Sequence, residues 1–271
     1  MMVVEKKVEK EVEEFKMEIK LLSKKEDGTS KFLISGTSVS ILNMYRRLIV
    51  NKVPTMAIDT VEIIENSSAL YDDMLAHRLG LVVLKTDLDA CFIKDNQRYT
   101  VDLTLEVEGP CIVFAEQMKS KDPGVFPIHG KTPIVKLLEN QKLKFVATAA
   151  TGEGKEHTKH SPALMYYEKY PYLNIKDAKK AEAIIQSCPI DAKKLEDSKL
   201  KDINTHELCP GCIGGLEDDN HIETKDADYL VTIEPWGQLT TGEIIEALGT
   251  VSNNLLDELA KEIKKIKWKQ T

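Results

Sequence analysis

The feature that most constrains the fold is a long amphipathic segment near the carboxyl end of the chain. Its apolar residues recur at steps of three and four, which is the spacing of one face of an α-helix. They are Ile244, Leu248, Val251, Leu255, Leu259, Ile263 and Ile266. Thr240 and Glu243 form a capping-box pattern before the first turn, and lysines follow the last. A stripe of about seven turns is long for a helix packed only on its own domain. We therefore predict a partner helix on another polypeptide.

Charge and hydropathy exclude several classes of protein. The 271 residues include 37 basic and 44 acidic side chains, for a formal net charge of −7. This balance gives no electrostatic footprint for nucleic acid, so we expect no direct contact with it. No segment approaches the roughly 18 to 20 apolar residues of a membrane span, and residues 1–14 are a charged leader instead of a signal peptide. The chain is expected to be cytoplasmic.

The remaining patterns predict a mixture of strands and helices. Alternating apolar residues on both sides of a turn at 25–28 predict a β-hairpin within residues 15–34. A single apolar face between Ser38 and Pro54 predicts a helix. Strict alternation at 99–107 makes the middle of the chain mainly β, and we also expect a buried strand at 81–84.

The cysteines point to metal or redox chemistry. Cys188 precedes a proline, and Cys209 and Cys212 form a C-x-x-C. Bacterial-type iron–sulfur sequences run C-x₂-C-x₂-C-x₃-C-P, and the Cys-Pro residue binds the other cluster of the pair. Counted from Cys209, the third and fourth ligand positions are Gly215 and Asp219, so a fourth cysteine is absent. The three cysteines that remain would all serve one cluster.

Several outcomes remain open for this three-cysteine site. It can hold a three-iron cluster, or a four-iron cluster whose fourth ligand is not a cysteine. Zinc is possible if His206 or His221 completes a tetrahedron. The domain can also have kept its fold and lost its metal.

No catalytic constellation is present in the sequence. It contains neither a phosphate-binding G-x-x-x-x-G-K-[ST] loop nor a G-x-S-x-G nucleophile motif. Two helical segments are instead dense in Arg and His, one with Arg46 and Arg47 and the other with His77 and Arg78. Arginine is favoured at protein interfaces, although surface salt bridges explain these residues equally well.

In these segments the sequence resembles the D family of archaeal DNA-directed RNA polymerase subunits. This family is related to the amino-terminal region of the bacterial α subunit and to the third-largest subunit of eukaryotic RNA polymerase II. Four blocks match in order: N-x-x-R-R…V-P-x-x-A-I from Asn43, L-A-H-R-L-G-L from Leu75, D-P-G-V-F-P-I from Asp122, and G-K-E-H from Gly154. The likeness covers nearly the whole chain from Phe15 onward.

The resemblance implies an α+β fold in three parts. A discontinuous α-subunit-like dimerisation domain would combine residues 15–54 with residues 229–271. A mainly β insert domain would span residues 55–169, and a ferredoxin-like third domain would span residues 170–228. Some relatives hold one or two iron–sulfur clusters in the third domain and others lack the cysteines, so Cys188, Cys209 and Cys212 are the candidate metal ligands here.

The resemblance also implies a function. The chain would be a non-catalytic assembly platform of a DNA-directed RNA polymerase, a nucleotidyltransferase. It would form a heterodimer with the small subunit L and would bind the second-largest catalytic subunit and the small zinc-binding subunits N and P. The expected interface residues are Arg46, Arg47, His77, Arg78, Leu248, Leu255 and Leu259. The alternatives are a ferredoxin-like iron–sulfur electron carrier or redox enzyme and a protein-binding adaptor unrelated to transcription.

Overall fold

The computed structural model describes residues 17–91, 98–192 and 204–265. The charged leader at 1–14, Phe15 of the expected hairpin and Ile266 of the carboxyl-terminal stripe lie outside these residues. Apart from short 3-10 turns, the elements in chain order are β1 (Glu18–Lys24), β2 (Ser30–Ser35), α1 (Val39–Lys52), β3 (Thr55–Asn66), α2 (Asp72–Gly80), α3 (Leu88–Cys91), β4 (Thr100–Glu108), β5 (Cys111–Phe114), β6 (Lys119–Ser120), β7 (Pro133–Leu137), β8 (Lys142–Gly152), β9 (Ala163–Lys169), β10 (Tyr172–Leu173), α4 (Ala178–Gln186), α5 (Pro210–Asp218), β11 (Ile222–Glu223), β12 (Asp228–Pro235) and α6 (Thr241–Lys265).

The chain divides into two compact units that alternate along the sequence. Among the described residues, one unit contains 17–24, together with Lys31–Leu42 and Tyr166–Thr232. The other contains Lys25–Ser30, Asn43–Met165 and residues 233–265. The mixture of helices and sheets confirms the α+β class, whereas the domain boundaries and the ferredoxin-like third domain stay predictions.

The second unit is built on an antiparallel sheet with the strand order β3-β8-β4-β6. The central strand β8 pairs with β3 from Thr55↔Gly152 to Asn66↔Leu143. It also pairs with the whole of β4, from Thr100↔Ala150 to Glu108↔Lys142. Alternate residues of β8 are buried, and Phe145 is 1% exposed. Leu75 and Leu79 of α2, four residues apart on one helical face, belong to the same hydrophobic core.

Two features of this unit differ from the sequence expectations. The pattern gave no strand at 55–66, yet β3 is the longest strand of the described chain. The register shifts between Ile58 and Thr60 and again between Ile63 and Glu65, and such bulges break the two-residue period. The expected strand at 81–84 is wrong: the backbone N–H of Leu81 bonds to Arg78 in the last turn of α2, and Leu84 makes only an isolated bridge with Pro127.

A second four-stranded sheet has the order β1-β2-β12-β9. The neighbouring β1 and β2 confirm the hairpin, and Gly28 takes the positive φ of +87° that its turn requires. The residues after Tyr170 form a smaller cluster in which β10 pairs with β11 and α4 packs against α5. Its buried core residues are few: Ala181, Ile185, Leu208, Cys212 and Leu216.

Helix α6 begins as the capping box predicts. The Thr240 hydroxyl accepts from the backbone N–H of Glu243, whose carboxylate accepts from the N–H of Thr240 over 2.6 Å. The helix runs for 25 residues. No helix in residues 17–91, 98–192 and 204–265 combines the length and apolar character needed to span a membrane.

Candidate functional site

The second half of α6 carries an exposed apolar face. Leu256 is 62% exposed, Leu259 56% and Ile263 45%. The exposed Ile245 and the half-buried Leu248 and Leu255 lie on the same side of the helix, because each is three, four, seven or eleven residues from another member of the set. We call this set the α6 stripe. Monomeric proteins rarely expose a contiguous apolar surface of this kind, which marks an interaction surface.

The first half of α6 packs against its own unit. Ile244, Ala247 and Val251 are buried. The Thr241 hydroxyl donates to the carbonyl oxygen of Gly28 over 2.9 Å, and Lys85 Nζ lies 3.2 Å from the Glu243 carboxylate. The structure therefore divides the apolar face that the sequence predicts as continuous: its amino-terminal part is covered within the unit, and its carboxyl-terminal part is open.

Arg46 and Arg47 lie in the middle of α1. The Nε and Nη2 atoms of Arg46 both donate to Asn43 Oδ1, over 3.2 and 2.9 Å. This pair explains the N-x-x-R spacing, because residues three apart are neighbours on a helix. Arg47 is exposed, and no other described side chain pairs with its guanidinium. Both side chains present cationic groups on the same helix.

The G-K-E-H loop closes over the carboxyl end of α1. The backbone N–H of Lys155 donates to the carbonyl oxygen of Asn51 over 3.0 Å, and Lys52 Nζ lies 2.8 Å from the Glu153 carboxylate. The first contact satisfies one of the carbonyl groups that a helix leaves unpaired at its carboxyl end. This block therefore supports the helix that carries the two arginines.

The L-A-H-R-L-G-L block lies on α2, where His77 and Arg78 are both exposed. Arg78 Nη2 donates to the carbonyl oxygen of Pro133 in β7 over 2.7 Å. His77 lines a small cavity with His157 of the G-K-E-H loop, so the fold brings two of the sequence blocks together. Within residues 17–91, no hydrogen bond or ion pair joins His77 or Arg78 to the arginines of α1.

The D-P-G-V-F-P-I block begins with a carboxylate that organises its own turn. Asp122 accepts from the backbone N–H of Gly124 over 2.8 Å and from the hydroxyl of Tyr99. The hydrogen bond to Asp122 raises the pKa of Tyr99 to about 12, and the same bond lowers the pKa of Asp122 below its ordinary value.

The three candidate metal ligands lie together, and a fourth side chain joins them. Ligand atoms of Cys188, Asp191, Cys209 and Cys212 all lie within 4.8 Å of one another. The sulfur atoms of Cys188 and Cys209 are 3.6 Å apart. Asp191 is fully buried. Neither His206 nor His221 belongs to this cluster, so the structure does not bring the histidines considered from the sequence to the cysteines.

Local structure explains how these four side chains meet. Cys188 follows α4, and Cys209 is the N-cap of α5, where its sulfur accepts from the backbone N–H of Cys212 over 3.4 Å. Asp191 Oδ2 accepts from the backbone N–H of Cys209 over 2.7 Å and links the two segments. The sequence patterns did not identify Asp191 as a candidate ligand. One signal was present: Cys188-Pro-Ile-Asp191 places Asp191 three residues after a cysteine, as Cys209-Pro-Gly-Cys212 places Cys212.

The surroundings of the cluster shift the pKa values of two of its thiols in opposite directions. Backbone N–H groups of Asp191 and Ile190 bond to the Cys188 sulfur and lower the pKa of that thiol. Burial, followed by the contacts with Cys188 and Asp191, raises the pKa of Cys212. Three thiols and a carboxylate form a donor set that fits a thiophilic metal. They do not supply the four cysteine ligands of a conventional four-iron cluster.

Comparison with known proteins gives a consistent result. Residues 54–166 match the family described as the RNA polymerase Rpb3/RpoA insert domain. A protein of Pyrococcus furiosus named DNA-directed RNA polymerase subunit Rpo3 is 35% identical, and the match covers 92% of this chain and 98% of that protein. The protein of that name from Thermococcus kodakarensis is 34% identical over 92% of this chain and 99% of its own length. The one from Methanosphaera stadtmanae is 29% identical over 89% of this chain and 96% of its own length.

Proposed function

Because the chain belongs to the Rpo3 family of DNA-directed RNA polymerase subunits, we propose that it is the non-catalytic assembly platform of an archaeal RNA polymerase. Its place is in a nucleotidyltransferase whose chemistry is carried out by other subunits. The observation that carries the proposal is the α6 stripe, which is apolar, exposed and held on a helix whose first half is fixed.

The partner proposed for the α6 stripe is the small subunit L. A complementary amphipathic helix would cover Leu256, Leu259 and Ile263, together with the half-buried Leu248 and Leu255. An obligate interface of this type buries about 2,000 Å² or more. Since the stripe is open in the single chain, the free protein should be poorly soluble and should become monodisperse with its partner.

Further partners are proposed for the remaining motif surfaces. Arg46 and Arg47 on α1, and His77 and Arg78 on α2, would contact the second-largest catalytic subunit and the small subunits N and P. What supports this is their position: Arg47, His77 and Arg78 are exposed, and Arg46 has its guanidinium oriented by Asn43. The alternative role as an iron–sulfur electron carrier or redox enzyme receives no support from the relatives, which are named as polymerase subunits.

The test is co-expression of the full chain with subunit L. Replacing Leu256 and Leu259 together by Glu places two charges in the proposed seam and should weaken the heterodimer at least about 100-fold, since central apolar contacts dominate such interfaces. Affinity is measured by titration or by co-purification. Asn254→Glu is the matched control because it adds a charge at an exposed position on the opposite side of the helix.

Two results would contradict the proposal. One is a full chain that is monodisperse alone and does not bind subunit L. The other is a doubly substituted chain that binds as well as the Asn254→Glu control.

A further inference from the structure

We propose that Cys188, Asp191, Cys209 and Cys212 bind one tetrahedral divalent metal ion, with zinc as the preferred ion, and not an iron–sulfur cluster. This assigns Asp191 as the fourth ligand. The inference does not depend on the proposed function, because it concerns only side chains within one compact unit of the chain.

Distance supports a single ion. Two thiolates bound to one zinc, each at about 2.3 Å and at a tetrahedral angle, lie about 3.8 Å apart. The sulfur atoms of Cys188 and Cys209 are 3.6 Å apart, and the ligand atoms of the whole set lie within 4.8 Å. In a three-iron or four-iron cluster each thiolate binds its own iron, so bridging sulfides and irons hold the thiolates farther apart. The observed spacing matches one shared ion.

The two halves of the site have the same construction. Cys188-Pro-Ile-Asp191 and Cys209-Pro-Gly-Cys212 each place a second ligand three residues after the first. In the second turn the Cys209 sulfur accepts from the backbone N–H of Cys212 over 3.4 Å. Such hydrogen bonds stabilise a thiolate and orient it toward a metal. The Asp191 bond to the N–H of Cys209 joins the turns.

The position at which a cluster motif needs its third cysteine is closely packed against a neighbouring helix. A third cysteine of the bacterial pattern would stand at Gly215. A Cβ atom at Gly215 would lie 3.0 Å from Ile184 Cγ2, because α5 packs closely on α4 there. A longer thiol side chain would have to displace that contact. The helix pair therefore favours the four-ligand set over a cluster ligand at Gly215.

A bound ion would also compensate for a small hydrophobic core. The buried residues of this cluster are Ala181, Ile185, Leu208, Cys212 and Leu216. Structural zinc contributes directly to the folding free energy of segments that bury little apolar surface. The ion would fix the carboxyl end of α4 to the amino end of α5, since each of these segments supplies two of the ligands.

The experiment uses the full chain purified without oxygen. Metal analysis should give about one zinc per chain and no acid-labile sulfide. The apoprotein titrated with Co²⁺ should show the visible d–d bands of a tetrahedral ion and thiolate-to-cobalt charge transfer. Several irons per chain with acid-labile sulfide would overturn the proposal, and so would the absence of a stoichiometric end point with either Zn²⁺ or Co²⁺.

Variants test the fourth ligand. Asp191→Asn should lower zinc affinity at least about tenfold and change the cobalt spectrum. Asp218→Asn removes an exposed carboxylate of α5 and should leave both unchanged. If Asp191→Asn fails to fold, Asp191→Cys decides the question: it should keep the stoichiometry and add a thiolate to the charge-transfer band. A Cys variant whose cobalt spectrum matches the wild type would overturn the assignment of Asp191.

Discussion

Gly154 stands directly against the carbonyl oxygen of Val50. A Cβ atom built on Gly154 would lie 1.9 Å from that oxygen, in the last turns of α1. The G-K-E-H loop therefore depends on the absence of a side chain at its first position, and the neighbouring bond from Lys155 to Asn51 depends on the same close approach.

Gly154→Ala should destabilise the protein by at least about 2 kcal/mol, because backbone must move to admit the methyl group. Chemical denaturation of the full chain measures this change. Gly214→Ala is the matched control: it lies within α5, no atom would approach its Cβ within 4 Å, and alanine favours a helix by about 0.5–1 kcal/mol. Equal stability of the two variants would contradict the close approach.

Arg46→Ala combined with Arg47→Ala should impair assembly more than folding. Neither arginine is buried, so we expect a stability change within about 1 kcal/mol but at least a tenfold loss (~1.4 kcal/mol) in recovered polymerase assembly. Reconstitution with the other subunits and thermal denaturation measure the two effects. Lys131→Ala with Lys136→Ala removes the same charge at exposed positions outside the matched blocks. Normal assembly of the arginine variant would rule out the interface role.

The bond between Tyr99 and Asp122 predicts a stability loss at high pH. The folded chain holds the pKa of Tyr99 at about 12, above the ordinary value of 10, so the unfolded chain ionises first as the pH rises. The contribution is complete below about pH 10 and is lost between about pH 10 and pH 12. Tyr99→Phe should fall less steeply than the wild type over this range when unfolding is followed by denaturant titration.

Tyr71→Phe is the control for this measurement, because Tyr71 is 84% exposed. It should follow the wild-type curve. A Tyr99→Phe variant that loses stability in parallel with the wild type would show that the hydroxyl of Tyr99 makes no such contribution.

Elements with a clean period were predictable from the sequence. The capping box at Thr240 and Glu243 fixed the start of α6, and strict alternation gave β4 within a residue of its observed bounds. Strand β3 was not predicted because its bulges at Ile58–Thr60 and Ile63–Glu65 interrupt the alternation of apolar and polar residues. The segment from Leu81 to Leu84 is apolar like a strand, but its first residues complete the last turn of α2.

The residues of the candidate sites also differ in whether the sequence predicts them. Cys188, Cys209 and Cys212 were found from their own chemistry, whereas Asp191 is one of 44 acidic residues and nothing in its type marks it as a ligand. Its role depends on a hydrogen bond to Cys209, 18 positions away. The apolar face of α6 was predictable, but the point where it leaves its own unit, after Val251, depends on packing that periodicity does not encode.

The fixed first half of α6 has a consequence for association. Thr241 and Glu243 hold the opening turn to Gly28 and Lys85, so the exposed turns that follow are already helical and already oriented. Little conformational entropy remains to be lost when another polypeptide binds there, and more of the contact energy appears as affinity. Residues that never touch the incoming chain thus help to determine how tightly it is retained.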